Sequence, residues 1–180
     1  NHGKMIITKH KESYIKTNYF FVKGNIPDIN YNYFISKIKE GISSESSLNF
    51  KTNVVGHMTP FKYFNQDPEF LKLMLPMMDY LDEMNLPERV NKWELQDSWG
   101  IKESFSMYTV AHDHKKCVWS GVVYFNQCDQ KLIFPQINEE VETKTGNFAI
   151  FSSELLHRTD FRVKENQIKY GIAFNFVNPD

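Results

Sequence analysis

His112, Asp113 and His114 stand in a row within YTVAHDHKKCVWSGVVYF, residues 108–125. If Tyr108–His114 is extended, side chains two apart share a face. Tyr108, Val110, His112 and His114 then point one way and Asp113 the other. Two imidazoles on one face of a strand are half of a metal site. A third candidate, His157 in SSELLHRTDF, follows 43 residues after His114. Three neutral imidazoles suit Fe(II), Zn(II), Cu(II) or Ni(II). Asp113 is the alternative to His114, because a bulge after Val110 would swing it inward. Without a metal, His112 and His114 read as a hydrogen-bonded pair at a strand end, and His157 is what favours a site. His57 belongs to no same-face cluster and reads as a loop histidine.

These histidines need a sheet to hold them. The segment IKYGIAFNFV alternates cleanly as a final strand, residues 168–177. Tyr170, Ile172, Phe174 and Phe176 form an apolar face directed at a core. Lys169, Gly171, Ala173 and Asn175 form the other face. It is small and polar with one cation, a pattern that suits the wall of a cavity. Lys169 is placed to pair a ligand carboxylate, with Gly171 and Ala173 leaving the room. Other strand signals after Lys92 are Trp93–Leu95, Ser98–Ile101, Ser104–His114, Val118–Asn126, Lys131–Phe134 and Phe148–Ser152. Gln127–Gln130 reads as a polar turn, and Glu139–Thr145 as a charged, exposed segment. Several short strands at this spacing predict a sandwich or barrel.

The first half is mixed. Met5–Thr8 and Tyr19–Val22 read as strands. A helix is expected from Pro27-Asp28 to about Gly41, ended by the loop Ser43–Ser47. Asn53–Phe64 reads as irregular, with Gly56 and Pro60 as breakers. Asp67-Pro68-Glu69 is a helix start, and that helix runs to about Asn85 with a kink expected at Pro76. The four residues ahead of Met5 read as an addition, with Met5 as the native start. Residues 5–180 therefore read as one domain, a strand and helix support layer over 5–91 and a jelly-roll core over 92–178. The expected fold class is mainly β with flanking helices: a double-stranded β-helix (jelly-roll, cupin-like) core covered by N-terminal helices.

Composition excludes several functions. With 21 basic and 22 acidic residues the net charge is −1, so recognition of nucleic acid through charge is not expected. The aromatic fraction of 15%, with 15 Phe and 9 Tyr, suits sheets packed face to face. Cys117 and Cys128 lack C-x-x-C spacing and read as free thiols of a reducing, cytoplasmic setting. No apolar run reaches membrane-spanning length. Trp99 and Trp119 read as packing residues.

Taken together, SWGIKESFSMYTVAHDHKKCVWSGVVYF, GNFAIFSSELLHRTDF and IKYGIAFNF resemble the 2-oxoglutarate/Fe(II)-dependent oxygenases of the small bacterial and phage type. The resemblance covers roughly Trp93–Val177. It rests on Trp99, 13 residues before the first histidine; on Tyr108, four before it; and on the H-x-H of His112 and His114. Ser120-Gly121 followed by Tyr124, Leu155-Leu156-His157 and Lys169 complete it.

This resemblance implies a jelly roll that uses Fe(II), 2-oxoglutarate and O₂ to hydroxylate a small-molecule or peptide substrate. It implies that His112, His114 and His157 hold iron. It further implies that Lys169, with Tyr108 and Asn175, binds the co-substrate. Two features depart from the pattern. His114 stands where the wider superfamily has a carboxylate. Lys169 stands where arginine is commoner, and a lysine is a point charge rather than a fork. A cupin-like three-histidine enzyme without 2-oxoglutarate and a non-catalytic, metal-stabilised jelly-roll module are the alternatives. A homodimer is an open expectation.

Overall fold

The computed structural model of the chain describes residues 5–14, 19–42, 48–51, 54–87, 91–114 and 116–179. Residues 1–4 and the loop expected over Ser43–Ser47 lie outside these. The first half runs β1 (Ile6–Ser13), β2 (Tyr19–Asn25), α1 (Tyr31–Ile42), β3 (Leu48–Lys51), β4 (Val54–Met58) and α2 (Pro68–Glu83). The second half runs β5 (Glu94–Glu103), β6 (Tyr108–Thr109), β7 (Trp119–Tyr124), β8 (Cys128–Phe134), β9 (Glu139–Thr143), β10 (Asn147–Ser152), β11 (Arg158–Thr159) and β12 (Lys169–Val177). The mainly β fold with two flanking helices is the one expected.

The strands form two antiparallel sheets. The larger has the order β1-β2-β10-β7-β12-β5-β4-β3, with β6 attached to β4, and the smaller has the order β11-β8-β9. Alternation along the central strands builds two separate cores. On one face of the large sheet, Phe20, Val22, Trp119, Val123, Phe148, Ile150, Ile172, Phe174 and Phe176 pack with Phe34 and Ile38 of α1 and with Phe70, Leu73, Met74, Met77 and Leu81 of α2. On the other face, Phe21, Val122, Tyr124, Ala149 and Phe151 meet Leu132, Phe134 and Val141 of the small sheet. The helices thus cover one side of the large sheet, and the cavity lies on the other.

Helix α2 starts as its sequence dictates. Asp67 Oδ1 accepts the Phe70 amide at 2.9 Å, and Pro68 takes the first turn, where its missing N–H costs nothing. The second oxygen of Asp67 accepts Tyr33 Oη–H at 2.7 Å, which ties α1 to α2. Helix α2 is unbroken through Pro76. Its methionines pack as core, as Met74 and Met77 show.

Several expected boundaries move. Trp93–Leu95 and Ser98–Ile101 are parts of one strand, β5, because β12 pairs with it over almost its whole length. Val54–Met58, expected to be irregular, is strand β4; it reaches β5 through His57↔Lys102 and Met58↔Ile101, and Pro60 falls beyond it. Part of the expected turn at Gln127–Gln130 opens β8 instead, and Glu139–Thr143 is a strand that buries Val141 and Thr143. Ser104–His114 is not one strand. A turn over Ser104–Met107, with Ser106 at φ 71°, ends β5, and only Tyr108–Thr109 pairs before the chain bends at Ala111.

Gly121 lies directly against the Phe174 ring of β12. A Cβ there would stand 2.3 Å from the Phe174 ring and 3.0 Å from the Ala149 carbonyl oxygen. Gly121→Ala is therefore expected to destabilise the fold by about 1–3 kcal/mol, as overpacking does. Urea unfolding with unchanged m-value would show it.

Candidate metal centre and its cavity

The three histidines meet at the rim between the sheets. One ring nitrogen from each of His112, His114 and His157 lies within 4.8 Å of the others. The backbone brings them there. His112 and His157 form an isolated antiparallel bridge: His112 N–H donates to His157 O at 3.2 Å and His157 N–H to His112 O at 3.0 Å. His114 N–H donates to Ser153 O at 2.7 Å. Ser153 Oγ–H donates to the Cys117 carbonyl, which closes the same loop from its other end.

The imidazoles are set up as neutral ligands. His112 Nδ1–H donates to Val110 O at 2.8 Å and His157 Nδ1–H to Leu155 O at 3.1 Å. That leaves Nε2 of each ring as the free lone pair. Burial lowers the pKa of all three. His114 is pushed down to about 4 by desolvation and by His112, with Asp113 acting against it. His157 is held well below the usual range by burial and by its two neighbours. At a metal–nitrogen bond of roughly 2 Å, ligand atoms on one ion stand about 3 Å apart, so small ring rotations close this set around a divalent ion. Asp113 is not one of the three.

Beyond the histidines lies a cavity of about 550 Å³, counting its mouth. Its wall is set by strand register. Lys169, Gly171, Ala173 and Asn175 of β12 stand opposite Glu103, Ile101, Trp99 and Asp97 of β5. On the other side, Gly171, Ala173 and Asn175 stand opposite Tyr124, Val122 and Ser120 of β7. In the middle rows β12 contributes only Gly171 and Ala173, as its alternation predicts, beside the larger Ile101, Trp99, Tyr124 and Val122, and each end row is polar. At one end, Asn175 is fixed: Ser120 Oγ–H donates to its Oδ1 at 2.5 Å and its Nδ2–H donates to Asp97 Oδ1 at 2.9 Å. Burial raises the Asp97 pKa, and the Asn175 bond opposes this.

At the other end is Lys169, only 2% exposed. Its Nζ lies 2.9 Å from Glu103 Oε1 and donates to Gln130 Oε1 at 2.5 Å. Glu103 and Gln130, both fully buried, were not among the residues expected here. Glu103 carried a signal: Trp99, Ile101 and Glu103 share a strand face, and a carboxylate on a buried face needs a cation. Gln130 carried none, because it was assigned to a turn.

Tyr108 is not among the residues that line the cavity with Lys169. It is half-buried, and the Arg162 guanidinium lies 4.2 Å from its ring centroid. The bend at Ala111 interrupts the alternation, so Thr109 lines the cavity together with His112 and His114, and Val110 is exposed. The irregularity that could have turned Asp113 inward instead turns Tyr108 outward. Among the described residues Cys117 and Cys128 are free, and no helix is long and apolar enough to cross a membrane.

The low histidine pKa values fix a pH dependence. A group whose folded pKa is depressed binds more protons when unfolded, so stability rises with pH between the two values. The metal-free protein should therefore lose stability as pH falls from about 6.5 toward 4, by up to about 1.4 kcal/mol per pH unit for each histidine that titrates only on unfolding. Urea midpoints measured across that range would show the slope, and His114→Asn should flatten it.

No protein-family model matches the chain, and no curated protein matches it in sequence. Solved structures do share its architecture. The viral collagen prolyl hydroxylase of Paramecium bursaria chlorella virus-1, solved with 2-oxoglutarate, superposes with a TM-score of 0.64 at 16% identity, over 89% of this chain and 96% of that one. The non-haem α-ketoglutarate-dependent carbocyclase SnoK of nogalamycin biosynthesis gives 0.67 at 9% identity, over 89% and 80%. HygX of Streptomyces hygroscopicus, with nickel and 2-oxoglutarate bound, gives 0.60 at 11% identity, over 88% and 82%. The chain has the jelly-roll fold of the 2-oxoglutarate/Fe(II)-dependent oxygenases.

Proposed function

We propose that the protein is a non-haem Fe(II) oxygenase that couples decarboxylation of 2-oxoglutarate to hydroxylation of a small-molecule or peptide substrate. The observation that carries this reading is the cavity with two unlike ends. Three neutral imidazoles converge at its mouth, and a buried ammonium group stands at its far end. The shared fold supports it.

The residues fit a divalent ion. His112, His114 and His157 would hold it on one side and leave the cavity side open. Bound divalent iron would supply activation of O₂, which is the oxidant, with the 2-oxo acid as co-reductant. The chain's own part is positional. The His112–His157 bridge fixes the ligands, the apolar side chains Ile101, Val122 and Ala173 keep the cavity dry, and Lys169 presents an N–H donor to the far end of the co-substrate. The Asp97–Asn175–Ser120 row holds one amide in a single orientation on the wall, a fixed hydrogen-bonding group for whatever enters.

Anaerobic titration with Fe(II) and then 2-oxoglutarate should produce the visible metal-to-ligand charge-transfer band. His157→Ala should abolish iron binding and the band together. Lys169→Ala should weaken 2-oxoglutarate by about tenfold or more while iron still binds. Iron binding without any band in the wild-type protein would reject the 2-oxoglutarate reading and leave a three-histidine metal protein. No iron binding would reject the metal centre.

A further inference from the structure

Glu103 is a buried charged group to which the proposed reaction gives no task. It is fully buried and lines the cavity. Apart from the Lys169 ammonium at 2.9 Å, neither of its oxygens has a hydrogen-bond partner among the described residues. Leaving a buried carboxylate oxygen without a donor is costly, and such an atom in a cavity wall points to a donor on the ligand.

Lys169 shows the complementary half. An ammonium has three N–H donors, and Glu103 and Gln130 already supply two acceptors. Gln130 is held in place, since its Nε2 donates to Phe161 O at 2.6 Å and to Met107 O at 3.2 Å. The third N–H of Lys169 has no oxygen acceptor among the described residues, only the Tyr124 ring with its centroid 5.8 Å from Nζ, and the lone pairs of Glu103 remain to be met. A ligand carboxylate on Lys169 would take the first and crowd the second with a like charge, in a buried setting where screening is weak. A carboxamide serves both: its carbonyl accepts from Lys169 and its N–H donates to Glu103.

We infer that Glu103 is a specificity-determining residue that opens the far end of the cavity to uncharged, hydrogen-bonding termini. A 2-oxo acid ending in a carboxamide is then held as well as one ending in a carboxylate. This rests on the reading of the cavity as a 2-oxo-acid site and concerns only the far end of that ligand.

Two oxalyl amides test it, because they share one metal-chelating end and differ at the other. N-oxalylglycine ends in a carboxylate and N-oxalylglycinamide in a carboxamide. Both would be titrated calorimetrically, without oxygen, into the Fe(II)-loaded protein. The wild-type protein should prefer the carboxylate by less than about threefold, and Glu103→Gln should raise that preference by about tenfold or more. Should the variant not fold, the wild-type ratio decides alone. A larger wild-type preference for the carboxylate, or a ratio that Glu103→Gln does not move, overturns the inference and leaves the 2-oxo-acid site standing. Iron-loaded protein that binds neither compound overturns both.

Discussion

The register between β5, β12 and β7 is the constraint on which the rest depends. Because side chains alternate along a strand, one residue of slip on β12 would carry Lys169 and Asn175 to the helix side and put Tyr170, Ile172 and Phe174 into the cavity. The two cores prevent this. Phe174 and Phe176 are locked against Trp119 and α2 on one face, and Val122 and Tyr124 against the small sheet on the other. Hydrophobic packing on both sides thus fixes which polar residues stand opposite one another. The Lys169–Glu103 and Asn175–Asp97 pairs are direct cross-strand neighbours in that register, so the chemistry of the wall is a by-product of how the cores fit.

Much of this was legible in the sequence, and the part that was not has a physical reason. The alternation of IKYGIAFNFV declares both faces of β12, because a strand buried on both sides must sort its residues by neighbour. The three histidines could be grouped from type and spacing alone. Tyr108 could not be placed, since its orientation depends on a bend at Ala111 that no local propensity announces. Glu103 was readable in principle from WGIKE, where it shares a face with Trp99 and Ile101, but its partner lies 66 residues on and only the sheet order reveals it. Short strands such as β4 and β6 are held by pairing rather than by their own composition, and propensity is a weak guide to them.

The two ends of the cavity solve burial differently. The histidine end removes charge: desolvation keeps the rings neutral. The lysine end keeps charge and cancels it in place, with a carboxylate at 2.9 Å. A metal bound there as proposed would add positive charge at the first end and favour an incoming acid group. The second end offers little net charge to attract one, so recognition there falls to hydrogen bonding.

The bridge between His112 and His157 joins residues 45 apart in the chain. Closing a loop of that length costs entropy, and the surrounding sheets, rather than the two hydrogen bonds of the bridge, offset it. A metal bound as proposed would meet ligands whose backbone the bridge and the sheets already hold in place.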